Sequence, residues 1–138
     1  MSEAAASDNV VRVIPFLTVT DISASTEFYG KLGFEIVSRW ENDGALHWCQ
    51  IELGGAALML QVGGDAARPR VCDAGISTYF ICRDALAIHS RAERLGLSPD
   101  EPFVGNAMWV VGLHDPDGYR LYFESETDVP EETRLSQL

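Results

Sequence analysis

An internal repeat with a fixed offset of 63 residues constrains the fold of this chain more than any other feature. Asp21 and Asp84, one offset apart, each stand before a helical pattern, where an aspartate caps the first turn. Gly33 and Gly96, separated by the same offset, stand where those patterns end, as a glycine does at a helix C-terminus. An offset that matches both caps and both stops without a gap indicates an internal duplication.

The same offset superposes two strand patterns. The segment ELGGAALML at 52–60 lies over DPDGYRLYF at 115–123, so that turn residues match turn residues and apolar residues match apolar ones. Alternation in the stretch VVRVIPFLTVT indicates a strand before the first helix. The pattern in each half therefore predicts a β-α-β-β-β unit. These units are module one at 10–62 and module two at 75–125, joined by a linker at 63–74.

The predicted fold is α+β, a single domain over residues 1–138 in which the two modules form a curved mixed sheet around a cleft. Each module has a helix on one face of its sheet, which leaves the other face for the cleft. Strand alternation assigns apolar residues such as Leu58 and Leu121 to the helix side. The residues of opposite parity are expected in the cleft: Ile14, Phe16, Met59, Gln61, Ser77, Tyr79, Arg120, Tyr122 and Glu124.

Composition argues against several classes of partner. A net charge of −11 and a pI of about 4.5 argue against nucleic acid and anionic membrane, because both need a positive surface. The charge suits a cationic ligand, and it equally suits an acidic surface that keeps a protein in solution. No apolar run approaches the ~20 residues of a membrane span. The start, MSEAAASDN, lacks the pattern of a secretory signal, so we expect a cytoplasmic protein.

Two smaller features complete this description. Cys49, Cys72 and Cys82 are an odd number without a C-x-x-C pair, which predicts free thiols in a reducing compartment. The tail at 126–138 is acidic, and we expect it to be frayed or draped over the surface rather than packed in the core.

Three stretches resemble one superfamily. They are DISASTEFYGKLGFE at 21–35, GAALMLQ at 55–61 and HDPDGYRLYFE at 114–124. They are similar to the vicinal oxygen chelate superfamily, which includes glyoxalase I, extradiol dioxygenases and bleomycin-resistance proteins. The resemblance implies paired β-α-β-β-β modules and a homodimer with the cleft near the interface. It specifies the fold better than the activity, because one scaffold supports many chemistries.

Metal enzymes of this superfamily place His, Gln or Glu ligands on the first and last strands of each module. Carried over through the resemblance and the repeat, these positions fall on Ile14, Met59, Ser77 and Tyr122. None of the four offers a carboxylate or an imidazole, the ligands that a divalent cation prefers. We therefore expect no metal, no cofactor and no catalytic residue, with Tyr122 as an aromatic wall of a binding cleft.

Three histidines remain as possible ligands. His89 lies in the middle of the second helical pattern and is expected on the surface. His114 precedes the DPDG turn and is expected to help order it. His47, in LHWCQ, fits either a cleft position or a hydrogen-bonded strand position. No two of them show the spacing of a preformed metal site.

The resemblance is strongest to the bleomycin-resistance branch, through IPFLTVTD at 14–21 and the run HDPDGYRLYF. It implies a non-catalytic, antibiotic-resistance type of protein that sequesters a small aromatic or cationic compound. The branch often carries P-W-G-x-R-E-F where this chain has GNAMWVVG, so the compound itself is not specified. The alternative is a glyoxalase- or dioxygenase-like enzyme with an atypical metal site or none. The predicted ligand-binding residues are Phe16, Trp48, Met59, Gln61, Ser77, Tyr79, Phe103, Trp109, Tyr122 and Glu124.

Overall fold

The computed structural model describes residues 5–63 and 76–138. Within these residues, no helix has the length and apolar composition needed to cross a membrane. The elements in chain order are α1 (Ala6–Asn9), β1 (Phe16–Val19), α2 (Ile22–Leu32), β2 (Glu35–Asn42), β3 (Ala45–Leu53), β4 (Ala56–Val62), β5 (Thr78–Ile81), α3 (Ala85–Arg94), β6 (Phe103–Gly105), β7 (Met108–His114), β8 (Arg120–Glu126) and a final 3-10 turn (Leu135–Gln137).

The strands form two four-stranded mixed sheets of identical topology, with orders β1-β4-β3-β2 and β5-β8-β7-β6. In each sheet the first strand pairs in parallel with the last, and the other neighbours are antiparallel. Phe16 pairs with Met59 in the first sheet, and Tyr79 pairs with Tyr122 in the second. The 63-residue offset thus extends to the register of the strands. This confirms the α+β fold of two repeated modules.

The helix ends follow the chemistry expected from the sequence. The Asp21 side chain accepts hydrogen bonds from two backbone N–H groups in the first turn of α2, and Asp84 accepts one at the start of α3. Gly33 and Gly96 follow the helices with φ of 111° and 77°, a region that strains residues with a Cβ. Both helices therefore begin and end where the repeat predicts.

One core serves both modules. Helix α2 packs on β3 and β4, α3 packs on β7 and β8, and the two helices contact each other. The rings of Phe34 and Phe80 meet edge to face at 5.9 Å and join the two sides of the core. Further buried residues on the helix-bearing faces of the sheets are Leu17, Val19, Cys49, Ile51, Leu58, Leu60, Val111, Leu113, Leu121 and Phe123.

Polar contacts also cross between the modules. The Tyr29 hydroxyl donates to Asp115 Oδ2 at 2.8 Å, and both residues are buried. The Thr20 backbone N–H and hydroxyl donate to Asp117 Oδ1 at 3.1 and 2.8 Å. Burial raises the pKa of Asp115 above its ordinary range, although hydrogen bonds from Tyr29 and from the loop backbone lower it in part. The loop before β8 therefore binds module two to α2 and β1 of module one.

Two strands differ from the predicted spans because of prolines. β1 begins at Phe16, since Pro15 has no N–H to donate to a ladder, and the preceding Val11 is 90% exposed. β6 begins at Phe103 rather than ending there, because Pro102 interrupts the N–H pattern in the same way. The first residues of the predicted second-module strand, up to 75, lie outside the described residues.

The turn glycines of the two modules are not equivalent, which corrects the prediction that they do the same job. β3 and β4 are joined by the pair Gly54–Gly55, and Gly54 is the one with positive φ, at 57°. β7 and β8 are joined by the five residues 115–119, and there Gly118 has φ of 87°. The offset therefore holds for the strands and slips by one position in the turns.

The acidic tail is paired rather than frayed, and it lies along the surface, as the draped alternative predicts. Val104 donates its backbone N–H to Thr133 O and accepts from Glu132 N, each at 2.9 Å. The Glu131 carboxylate accepts from the backbone N–H groups of the turn at 106–107, at 2.7 and 2.8 Å. The tail thereby covers the open edge of β6, which would otherwise expose unpaired backbone groups.

Candidate functional site

Each sheet has one face covered by its helix and one face left open. The open side of the first sheet, here called face one, is formed by Phe16, Trp48, Met59 and Gln61. The open side of the second sheet, face two, is formed by Tyr79, Phe103, Tyr122 and Glu124. The parity of the strands decides this, because the alternate residues on the same strands are buried. Eight of the ten predicted ligand-binding residues lie on these two faces.

Face one is a row of large apolar side chains with polar groups beside it. Phe16 is directly opposite Met59, and Trp48 is directly opposite Gln61. Phe16 is 51% exposed, a large value for a phenylalanine that begins a paired strand. At the end of the face, Arg12 forms a 2.7 Å ion pair with Glu52. The face offers stacking and amide hydrogen bonds.

The centre of face two is a pair of stacked tyrosines. The rings of Tyr79 and Tyr122 lie 4.9 Å apart between centroids, with their planes inclined by 24°. Tyr79 is 56% exposed, so this stack lies at the surface rather than in the core. Glu124 follows on the same face. Val110 pairs with Glu124 on one side and with Phe103 on the other, so Phe103 lies at the far edge of the face. Stacked rings beside a carboxylate favour a flat guest with positive charge.

Asp100 and Gly112 also belong to face two, and sequence reasoning missed both. Gly112 is directly opposite Tyr122 and accepts a 2.9 Å hydrogen bond from the Asp100 backbone N–H. A Cβ at Gly112 would lie 2.8 Å from Asp100 Oδ2 and 3.4 Å from Tyr122 Cε1. The carboxylate and the ring therefore meet over the glycine. A glycine inside a strand is the available signal, because it often marks such a close approach.

Two predicted residues do not join these faces. Trp109 is 5% exposed and pairs with Ser125, whose hydroxyl accepts from the Ala85 backbone at the start of α3. Trp109 is thus on the helix-bearing side of β7, which corrects its assignment to the cleft. Ser77 precedes β5 and is exposed, without a strand partner.

Within one chain the contacts between the described residues of the two modules do not run through face one or face two. The contacts between modules run through α2 and α3, through Phe34 and Phe80, and through Tyr29 and Asp115, all on the helix-bearing side. The predicted convergence of the four family ligand positions on one cleft therefore stays a prediction. It would require face two of one copy to meet face one of another.

A cavity of about 510 Å³ lies between the modules, beside face two. Its walls are mostly apolar and include Leu53, Ala56, Tyr79, Ile81 and Cys82. Burial raises the pKa of the Cys82 thiol, so the thiol is protonated at neutral pH and is a poor nucleophile. Tyr79 thus contributes both to this cavity and to the tyrosine stack.

Candidate metal ligands are scattered. In the described part of the chain, no three His, Cys, Asp or Glu side chains are grouped as a metal ion would require. The ring of His47 lies 5.4 Å from that of Trp40, and His114 is exposed. His89 is only 8% exposed and lies 4.0 Å from the Glu93 carboxylate, which corrects its predicted surface position.

Several solved structures share the fold at low sequence identity. A bleomycin resistance determinant encoded on the transposon Tn5 has a TM-score of 0.68 and 19% identity, over 85% of this chain and 98% of that one. A bleomycin-binding protein complexed with bleomycin has a TM-score of 0.66 and 19% identity, over 86% and 100%. TioX from Micromonospora sp. ML1 has a TM-score of 0.67 and 15% identity, over 86% and 100%. No curated protein matches the sequence.

The family model for the Glyoxalase/Bleomycin resistance protein/Dioxygenase superfamily matches residues 9–123. This span contains all eight strands except the end of β8, together with α2 and α3. It agrees with the resemblance found in the sequence and with the repeated sheets of the structure. The chain belongs to the glyoxalase/bleomycin resistance protein/dioxygenase superfamily.

Proposed function

We propose that the protein is a non-catalytic binding protein of the bleomycin-resistance type, which sequesters a small aromatic or cationic compound. The main support is the exposed stack of Tyr79 and Tyr122 on face two. An aromatic pair that faces solvent gains little from its burial, and it is available to cover a flat guest. The structural likeness to a bleomycin-binding protein complexed with bleomycin supports the same class of ligand.

The chemistry of the four family ligand positions favours binding over metal catalysis. Ile14 and Met59 supply no oxygen or nitrogen donor, and Ser77 and Tyr122 supply neutral hydroxyls. Such a set is a poor match to divalent cations, which need several carboxylate or imidazole donors at once. The same set suits an organic guest, since it is apolar and aromatic with two hydrogen-bonding groups.

We propose further that two copies associate, with the guest bound where face one of one copy meets face two of the other. One chain leaves Phe16, Tyr79 and Ile81 more than half exposed, and a partner would bury them. Sedimentation at micromolar concentration is expected to give twice the 15.2 kDa of one chain. A species of one chain alone would contradict the association.

Titration with bleomycin and with smaller planar compounds tests the function. We expect calorimetry to show saturable binding of at least one compound. Mass spectrometry should show that this compound is chemically unchanged after incubation with the protein. The metal content of protein purified without chelator is measured in the same preparation. Stoichiometric metal, lost on chelation together with turnover of a compound, would replace the binding function by an enzymatic one.

A further inference from the structure

We infer that Asp100 is a specificity-determining residue of face two, and that its carboxylate selects planar guests that carry a positive charge. The inference rests on the proposed function, because it specifies the class of guest that the tyrosine stack receives. It concerns a residue outside the predicted site, in the connection between α3 and β6.

The position of Asp100 is fixed by the backbone. Its N–H donates to the Gly112 carbonyl at 2.9 Å, which ties the connection to the middle of β7. Its side chain then extends over Gly112, since a Cβ on that glycine would lie 2.8 Å from Asp100 Oδ2. The φ of Gly112 is not positive, so backbone geometry does not require glycine here. The space that it leaves is occupied by the carboxylate.

The aromatic partner of this carboxylate is Tyr122. The same Cβ position over Gly112 lies 3.4 Å from Tyr122 Cε1, so the carboxylate and the ring border one spot. A cation placed there is attracted by the carboxylate and by the negative face of the stacked rings. A neutral ring of the same shape gains only the stacking. The arrangement therefore separates guests by charge.

The charges around the spot agree with a cationic guest. Glu124 lies one pleat further along β8 on the same face, and neither it nor Asp100 forms a side-chain hydrogen bond or ion pair with a described residue. Glu126 continues the acidic row. Arg120 lies one pleat in the other direction, opposite His114, and it has an interaction of its own. Asp100 Oδ2 reaches Gly112, opposite Tyr122, so the carboxylate lies between Arg120 and Glu124 along β8, and the acidic row begins one pleat from it.

The test compares two probes of matched shape, N-methylacridinium, which is a planar cation, and N-methylacridone, which is neutral. Both are titrated against the full-length protein and against Asp100→Asn. We expect Asp100→Asn to weaken N-methylacridinium about fivefold, the upper range for one exposed ion pair, and N-methylacridone less than twofold. Asp128→Asn, which removes an equal charge from the tail, controls for the change in net charge and should leave both affinities unchanged.

A second variant tests the geometry. Gly112→Ala places a methyl group where the carboxylate lies and should also weaken the cation more than the neutral probe. Equal affinities of the cation for wild type and Asp100→Asn, with both probes weakened by Tyr122→Ala, would overturn the role of Asp100 and leave the proposed function standing. Absence of binding by both probes, or insensitivity of both to Tyr122→Ala, would overturn binding at the stack and the role of Asp100 with it.

Discussion

The Tyr29 hydroxyl donates a 2.8 Å hydrogen bond to Asp115 Oδ2 inside the protein, and the two residues belong to different modules. Burial raises the pKa of Tyr29 far above its ordinary value, so the phenol remains a donor at any working pH. The bond links α2 of module one to the loop before β8 of module two. It is one of the polar contacts that hold the halves of the repeat together.

Tyr29→Phe removes this donor and keeps the ring. We expect the free energy of unfolding to fall by about 1–3 kcal/mol, the range for leaving a buried acceptor without its donor. Urea unfolding followed by fluorescence measures it. Tyr119→Phe is the matched control, because its hydroxyl donates at 2.9 Å to the neutral Thr18 carbonyl and should cost about 1 kcal/mol. If Tyr29→Phe is no less stable than Tyr119→Phe, the Tyr29–Asp115 hydrogen bond contributes less to stability than we expect.

The raised pKa of Asp115 predicts a pH dependence of stability. Because burial raises the pKa in the folded state, the folded protein binds this proton more tightly than the unfolded chain. Its contribution is therefore fully present below the ordinary value of 3.8 and is lost as pH rises through the folded pKa.

Between about pH 7 and about pH 4, the stability of the wild type relative to Asp115→Asn should therefore rise as the pH is lowered. The difference between the two proteins cancels the titration of the other carboxyl groups. Urea unfolding at a series of pH values measures it, and a difference that falls with decreasing pH would show a lowered pKa instead.

Two glycines, one inside α2 and one directly after it, provide a matched pair of sites for substitution by alanine. Gly30 is exposed within the helix, and a Cβ there meets nothing within 4 Å, so Gly30→Ala should stabilise by about 0.5–1 kcal/mol. Gly33 has φ of 111°, and a Cβ there would lie 3.2 Å from Leu53 Cδ1. Gly33→Ala should destabilise by about 1–2 kcal/mol. Thermal and urea unfolding distinguish the signs, and the same sign for both would refute the argument.

The pairing of the tail predicts an effect of Glu131. Its carboxylate accepts from the backbone N–H groups of Asn106 and Ala107, which both have positive φ. Glu131→Ala should cost about 1 kcal/mol, as the loss of a capping side chain does, and speed amide hydrogen exchange at 106–107. Asp128→Ala, which removes a carboxylate that has no backbone partner among residues 5–63 and 76–138, should change neither quantity.

Tyr122→Ala should weaken binding of a planar guest by about 1–2 kcal/mol, the scale of one aromatic contact. Tyr122→Phe keeps the ring that stacks on Tyr79 and should bind within about twofold of the wild type. Calorimetry measures both after thermal unfolding shows that they fold. Similar losses for the two variants would assign the effect to the hydroxyl and not to stacking.

The repeat made most of the fold predictable from the sequence. The offset that relates Asp21 to Asp84 also relates the pairing of Phe16 with Met59 to that of Tyr79 with Tyr122. Caps, stops and alternation are local signals, and duplication supplies each of them twice. For β1, β4, β5 and β8 the open faces followed from parity, whereas parity did not decide which way the strand at 45–53 faces.

The remaining features depend on contacts that no local pattern encodes. Trp109 was assigned to the cleft, but MWVVGLH at 108–114 is apolar at nearly every position, so alternation does not indicate which of its side chains face the helix. Asp100 belongs to a connection, where neither alternation nor helical spacing applies. The tail itself is polar, and its pairing to β6 uses backbone groups that composition does not reveal.

The contact between Tyr29 and Asp115 also means that the two halves are no longer interchangeable. The position one offset after Tyr29 is Ala92, and the position one offset before Asp115 is Glu52, which pairs with Arg12 in its own module. A chain with module two in both places would set a buried carboxylate against a methyl group. The duplication is thus preserved in the backbone while the side chains of the two halves have become complementary, and a chain with the same half in both places would lose the link that joins them.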